Sequence, residues 1–427
     1  MTWAASRQPT HGPMGEEASP TAKAPLEGIR VLDLTRVLSG PFCSMMLGDM
    51  GAEVIKVEPP KGDPVREQGA MPNGFSWYFA AFNRNKKSIV LDLYSDAGKE
   101  VLARLIREAD VMVDNFRPGV LARMGFDEAR LKDLNPRLVT ANINGFGSTG
   151  PYVDRPAFDF IAQAMSGLMS VNGAEGEDPM RTAQPITDLV AGLYCAFGIV
   201  SALRARDLNG EGQHVDSSMV NGAISMMAYL ASEFLATGNL PERTGNNHPL
   251  VAPYGLFKTS DGEIAVAPSN DTILKRFLDA VGVGHLMEDP HYDSNEKRFG
   301  RRNELQALLD AEISKERQDV WIERLNKAGV PCGRVLNLAE AFSDPQVQAQ
   351  KMVIDVEQPG YGPIRMLGFP VKLNRTPCQV RRPAPELGAD TEAVLREGGF
   401  SETEIAALEQ DGVVASGRPE GEQDTGD

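Results

Sequence analysis

Short apolar strands alternate with helices through the first third of the chain, and this alternation restricts the fold more than any other feature. It opens with Gly28-Ile29-Arg30-Val31-Leu32-Asp33-Leu34, a strand. Ser39-Gly40-Pro41 then leads into an apolar helix, Phe42 to Met50, with Pro41 at a first helical position where its missing N–H is not needed. Gly51 ends that helix, and Ala52 to Val57 is the next strand. The pattern repeats. Ile89 to Asp92 reads as a strand, and Ser95 or Asp96 caps a helix with Val101, Leu102, Leu105 and Ile106 on one face. Asp110 to Val113 and Leu138 to Ile143 follow as strands, with a helix near Asp127 to Leu134 between them. Such alternation predicts an α/β fold with a parallel, doubly wound, Rossmann-like sheet.

The character changes after Pro185. Residues 186–207 are apolar nearly all round, which predicts a helix buried on several sides. Tyr254 to Lys258 and Ile264 to Ala267 flank Ser260-Asp261-Gly262, a hairpin signal, and helices are expected at 301–314 and 318–328, the second ended by Gly329. We divide the chain into a large domain beginning at 25–224 and a smaller α+β domain at 225–330. Residues 1–24 and 416–427 read as disordered tails.

A length of 427 residues allows two or three domains, and 42% hydrophobic with 24% charged residues is the profile of a globular protein. No run approaches the ~20 apolar residues of a membrane helix, so no membrane span is expected. The N-terminus has no secretory pattern. The four cysteines, Cys43, Cys195, Cys332 and Cys378, form no CxxC pair, which argues against a disulfide scaffold or a cysteine zinc site and points to the cytoplasm. A net charge of −16 speaks against nucleic acid as partner but leaves room for a small anion at a local basic cluster, Asn83-Arg84-Asn85-Lys86-Lys87.

Catalytic candidates are few. Of the five histidines, His11 lies in the tail, and His214, His248, His285 and His291 stand apart without metal-ligand spacing, so no metal site is expected. No GxSxG elbow exists, which leaves carboxylates. Gly145-Phe146-Gly147-Ser148-Thr149-Gly150 matches GxGxxG after a strand, but Pro151 and Pro156 follow and no helix period does. A dinucleotide site needs that helix, so the segment is either a loop that a large ligand crosses or a plain turn. Asp159 sits between apolar neighbours in Phe158-Asp159-Phe160. Asp188 sits in Pro185-Ile186-Thr187-Asp188-Leu189-Val190-Ala191-Gly192, at the first turn of the apolar helix. There it either serves the helix dipole alone, or is a nucleophile that the same dipole keeps ionised.

Taken together, LEGIRVLDLTRVLSGPFCSMMLGDMGAEVIKVEPP, FNRNKKSIVLDL, ADVMVDNFRPGVLARMGF, INGFGSTGP, FDFIAQAMSGLM and PITDLVAG resemble the family III CoA-transferases, the formyl-CoA transferase and carnitine CoA-transferase group, from about Pro25 to Val414. The resemblance implies an interlocked, ring-like homodimer in which residues 331–415 complete the large domain. It implies Asp188 as the catalytic carboxylate, and CoA thioesters as substrates with no permanently bound cofactor. The family's CoA contacts map onto Val37, Leu38 and Ser39, onto Leu91, onto Asn115, Phe116 and Arg117, onto Arg123 and Met124, and onto Asn144, Gly145, Phe146 and Gly147. Leu38 and Asn144 stand where the formyl-transfer branch has Gln and Lys, which sets formyl-CoA and oxalate apart.

The implied mechanism passes CoA through aspartyl anhydride and aspartyl-CoA thioester intermediates. The look is closest to the succinyl-CoA-dependent dicarboxylate transferases, with Arg66 or another cleft arginine facing the distal carboxylate, or else Arg66 merely solvated. The α-methylacyl-CoA racemases of the same fold are the alternative. They place a histidine base just before the Asp of the FDF segment, where this chain has Phe158. A non-catalytic CoA-binding protein and a nicotinamide oxidoreductase are the remaining classes, the one opposed by Asp188 in its full segment and the other by the missing helix.

Overall fold

The computed structural model describes residues 22–417, so the expected tails lie almost wholly outside the described residues. Six parallel strands carry the fold: β1 (Arg30–Asp33), β2 (Glu53–Glu58), β3 (Lys86–Leu91), β4 (Val111–Asp114), β5 (Val139–Asn144) and β6 (His214–Ser218). They lie in the order β3-β2-β1-β4-β5-β6, and Val414–Ala415 pairs antiparallel with β3 at one edge. The helices that follow are α1 (Ser39–Asp49), α2 (Trp77–Asn83), α3 (Asp96–Arg107), α4 (Val120–Arg123), α5 (Glu128–Leu134), α6 (Asp159–Met165), α7 (Leu168–Val171) and α8 (Ile186–Asn209). α1 opens three residues before the expected Phe42, at Ser39, which puts Pro41 inside its unbonded first turn.

Both faces of the sheet are covered, as the alternation requires. Val31 of β1 joins one core with Val54, Val113, Ile143, Cys43 of α1 and Ile199 of α8. Its neighbour Leu32 joins the other, with Ile55, Ile89, Leu102 and Ile106 of α3 and Leu395. Adjacent strand residues point to opposite faces, so one short apolar strand feeds two cores. The order of strands reverses between β1 and β4. Loops leaving the carboxyl ends of those two strands therefore diverge, and a crevice opens between them.

α8 corrects one expectation. Over 24 residues it is, by length and composition, apolar enough to cross a membrane, although no such run was read in the sequence. Half of it is buried, against α1, β5 and β6, where it serves as a core helix of the sheet.

The chain divides into two compact units. One takes the described residues up to Ala162, Pro185–Ala223 and those from Gln350 onward; it includes the hairpin of Val353–Gln358 and Gly362–Leu367. The other takes Gln163–Gln184 and Ile224–Ala349. Its antiparallel sheet joins Gly255–Thr259, Gly262–Val266 and Cys332–Arg334 over a core that includes Phe257, Phe277, Leu309 and Trp321. These bounds differ from the sequence division at 330 and add residues 163–184. That segment is tied to the second unit by polar contacts no periodicity reveals: Arg243 donates to the Ser170 and Glu177 carbonyls, and Arg302 pairs with Glu175 at 3.1 Å.

Candidate active site

Asp188 occupies the first turn of α8. The residue before that helix is Pro185, which has no side chain able to cap it. Asp159 of α6 does so from a distance in sequence: its Oδ1 accepts the Thr187 N–H at 2.9 Å and the Thr187 hydroxyl at 2.8 Å. The D-x-x-x-G spacing then has a steric meaning. Gly192 lies one turn after Asp188, and a Cβ there would come within 2.5 Å of the Ser39 carbonyl oxygen. Its absence lets the start of α1 press against α8, and the Ser39 hydroxyl reaches the Asp188 carboxylate.

The ionisation of Asp188 departs from the sequence reading. Burial, reinforced by the Asp159 charge, raises its pKa to about 7 against the opposing Ser39 hydrogen bond. The helix dipole does not outweigh these effects. A half-buried carboxyl next to a second carboxylate favours its neutral form, because removing it from water penalises the charge more than one helix end repays.

The loop from β1 to α1 is held from below. Val37 has φ of 70°, a left-handed conformation that a β-branched residue adopts only when its surroundings impose it. Its N–H faces both Asp63 oxygens at 3.2 Å, and Asp63 pairs with the fully buried Lys56 at 2.9 Å. Asp33 and Lys86, also fully buried, pair at 3.0 Å beside it, and Lys86 donates to the Pro41 carbonyl. Burial lowers the Lys86 pKa to about 8 even with Asp33 opposing. The basic cluster 83–87 is therefore no anion site. Arg84 makes a two-pronged pair with Asp49 at 3.0 and 2.8 Å, Lys86 holds Asp33, and Lys87 holds Glu53 and Glu397.

Two adjoining cavities lie at the crevice. The first, of about 200 Å³, is lined by Asp188 together with Val37, Leu38, Ser39, Asn115, Phe116, Arg117, Asn144, Gly145 and Phe146. The second, of about 640 Å³, is lined by Leu91, Arg123 and Met124, and shares Arg36, Phe116 and Arg117 with the first. Of Asp188 and the CoA-contact residues that the resemblance implies, only Gly147 lines neither. Its N–H donates to Asn144 Oδ1 at 2.5 Å.

Asn144 itself is engaged on every side. Its amide donates to Asn142 Oδ1 at 2.8 Å and to Asp216 Oδ1 at 2.7 Å, while Asp216 Oδ2 accepts the Ser148 N–H and hydroxyl. The Gly145–Ser148 loop is thus fixed by β6 through Asp216. After β5 the next helix begins only at Asp159, so the GxGxxG segment lacks the helix a dinucleotide site requires. Arg66 is spent as well: it grips Glu58 at 2.8 and 2.7 Å, donates to the Pro385 carbonyl and lies over Phe79, so it faces no substrate.

Several residues here carried no sequence signal. Arg36, Arg155 and Met219 line the Asp188 cavity, brought there by the loops after β1, β5 and β6. Tyr78 of α2 lies near enough that Asp188, after burial, raises its phenol pKa. Asp63 precedes Pro64 as a visible helix cap, but nothing in the sequence aims it at Val37.

A family model, CoA-transferase family III, matches residues 26–391. Acetyl-CoA:oxalate CoA-transferase of Acetobacter aceti is 39% identical over 387 residues, 90% of this chain and 98% of that one. Succinate–glutarate CoA-transferase of Agrobacterium fabrum is 37% identical over 386 residues, 88% of this chain and 96% of that one. Among solved structures, a CAIB/BAIF family protein from Brucella suis matches with a TM-score of 0.78 at 35% identity, covering 88% of this chain and 100% of that one. With its parallel sheet, its crevice at the strand-order reversal and these relatives, the chain belongs to CoA-transferase family III and is a CoA-transferase.

Proposed function

We propose that the protein moves CoA from succinyl-CoA to a free dicarboxylic acid, with Asp188 as nucleophile. The observation that carries this reading is the position of Asp188 in one cavity with the β1–α1, β4–α4 and Gly145–Phe146 loops. The ionised carboxylate attacks the thioester carbonyl; the C–S bond breaks and CoA leaves as thiolate, giving an acyl–aspartyl anhydride. The thiolate attacks the aspartyl carbonyl, releases the donor acid and forms aspartyl-CoA thioester. The acceptor carboxylate displaces CoA thiolate from that thioester, giving a second anhydride. The thiolate then takes the acceptor acyl group and returns Asp188 to a carboxylate. Each step exchanges one acyl bond for another without water or redox partner.

Asp188 with a pKa of about 7 is poised between its two forms near neutrality. The Ser39 hydroxyl, which favours the charged form, supports the nucleophilic state. Phe158 lines the cavity where the racemases use a base, and it can carry no proton. The larger cavity, with Leu91, Met124 and the guanidiniums of Arg36, Arg117 and Arg123, suits a nucleotide bearing phosphates.

The relatives divide between oxalate and succinate–glutarate chemistry. Leu38 and Asn144 favour the second. We place the enzyme in the cytoplasm as a homodimer. The dimer is supported by Leu193, Phe197 and Val200, which stay exposed along one face of α8, and the compartment by four free cysteines.

The test follows CoA exchange between succinyl-CoA and glutarate by mass spectrometry. Formation of glutaryl-CoA is expected. Absence of exchange with any acid, together with exchange of α-protons into deuterated solvent, would replace this reading by the racemase one.

A further inference from the structure

The arginines around Asp188 divide by position. Arg36 and Arg117 line both cavities, the one with Asp188 and the one ringed by Leu91, Arg123 and Met124. Arg155 lines the Asp188 cavity alone, on the wall that also holds Val153, Ala157 and Phe158. The first two stand where a CoA thioester passes from one cavity to the other. Arg155 is confined to the cavity of the reacting carboxylate, where the acyl group rather than the nucleotide has reason to reach.

Although exposed, this side chain is oriented. Its guanidinium carbon lies 4.1 Å from the centre of the Tyr152 ring, and Tyr152 meets Phe146 edge-on at 5.6 Å. Phe146 is itself part of the cavity wall. The backbone is set too: the Arg155 N–H donates to the Tyr152 carbonyl at 3.0 Å, and Pro156 confines Arg155 to extended conformations. Stacking fixes the plane of the guanidinium but uses none of its N–H donors. Among the described residues no carboxylate pairs with it.

The rest of the lining is apolar in part, with Leu38, Ala157, Phe158 and Met219. A carboxylate-reactive group, apolar lining and an open cationic fork within one small cavity match an acid with two carboxylates joined by a short carbon chain. A volume of about 200 Å³ suits such a small acid.

We infer that Arg155 selects dicarboxylates, its guanidinium taking the far carboxylate while the near one reacts at Asp188. This rests on the CoA-transfer reading above. Donor and acceptor acids visit Asp188 in turn, so both meet the same arginine. A monocarboxylic acid of equal length would leave an apolar end against an unpaired cation and gain nothing from it.

The test compares acids matched in length, glutarate with valerate and succinate with butyrate, as acceptors from succinyl-CoA. In a double-displacement reaction kcat/KM for an acceptor reports only the half-reaction it enters. Arg155→Gln is expected to lower kcat/KM for the dicarboxylates by about 10- to 100-fold and to leave the monocarboxylates within about 3-fold, with Arg155→Lys between. The melting temperature and the undiminished monocarboxylate rates serve as controls for folding. Equal losses for both acids of a pair would assign the guanidinium to CoA phosphates or to the fold, and would overturn the inference. So would undiminished dicarboxylate activity, or a wild-type enzyme that prefers the monocarboxylates. If wild type forms no Asp188 adduct and exchanges no acid, the transfer reading itself fails and this inference with it.

Discussion

Lys56, Arg66, Arg84 and Lys86 lie a few residues to a few strands away from Arg36, Arg117 and Arg155, within the same unit, and the two groups have opposite surroundings. The first four are buried or nearly so, and each holds a carboxylate: Asp63, Glu58, Asp49 and Asp33. The other three line the Asp188 cavity, and among the described residues none of their guanidiniums has an ion-pair or hydrogen-bond partner. The chain thus spends one set of cations on fixing the loops of the crevice and leaves the other set open to the Asp188 cavity. A basic run in sequence does not say which set it belongs to. The partner does, and the partner comes from another strand or helix.

The largest test of this division removes the proposed nucleophile. Asp188→Ala is expected to lower CoA exchange by at least about 1000-fold while thermal unfolding stays at or above the wild-type temperature. Arg84→Ala should do the reverse and act on the fold. Removing one partner of a buried ion pair leaves the Asp49 carboxylate with the Asn85 amide but without its guanidinium, at a cost of about 3–5 kcal/mol in the denaturant midpoint analysis. Arg117→Gln should raise KM for the CoA thioester by about 10-fold with little change in melting temperature, since no internal pair is lost. A melting temperature that falls as far as that of Arg84→Ala would erase the distinction.

Smaller effects sharpen it. Asp216→Ala frees the Ser148 N–H and the Asn144 amide, so the Gly145–Ser148 loop loses its fixed position. KM for the thioester should rise about 3-fold with kcat nearly unchanged. The Asp188 pKa of about 7 sets the pH dependence. The proposed nucleophile is ionised above it, so kcat/KM should rise about 10-fold per pH unit below 7 and level off above. For stability the sign is opposite. Between about 4 and 7 the native state holds a proton the unfolded chain has lost, so ionising Asp188 lowers stability as pH rises. Asp188→Asn should therefore melt about 1–2 °C higher than wild type at pH 8, and the gain should vanish by pH 4.

Much of the large sheet was legible because its physics is local. β1, α1, β2, β4 and β5 announce themselves by short apolar runs, and α3 and α5 also by a cap: Ser95 accepts the Gly98 N–H, and Asp127 the Arg130 N–H. β6 was not legible. His214–Ser218 is polar and short, and only its parallel pairing with β5 makes it a strand. The site divides in the same way. Asp188, the β1–α1 loop and Asn115–Arg117 were readable by resemblance and converge in one cavity. What escaped was set by long-range contact. The carboxyl of Asp188 is raised toward neutrality by burial and by Asp159, the Asn144 amide is taken by Asn142 and Asp216, and Arg66 is taken by Glu58.

The most direct test of the account is covalent. The protein is incubated with succinyl-CoA, treated with hydroxylamine, digested and analysed by mass spectrometry. Hydroxylamine converts an aspartyl anhydride or thioester into a hydroxamate, and that mark is expected on Asp188 and absent without acyl-CoA. A mark on another carboxylate, or no mark with any acyl-CoA while the enzyme turns over, would contradict the central claim.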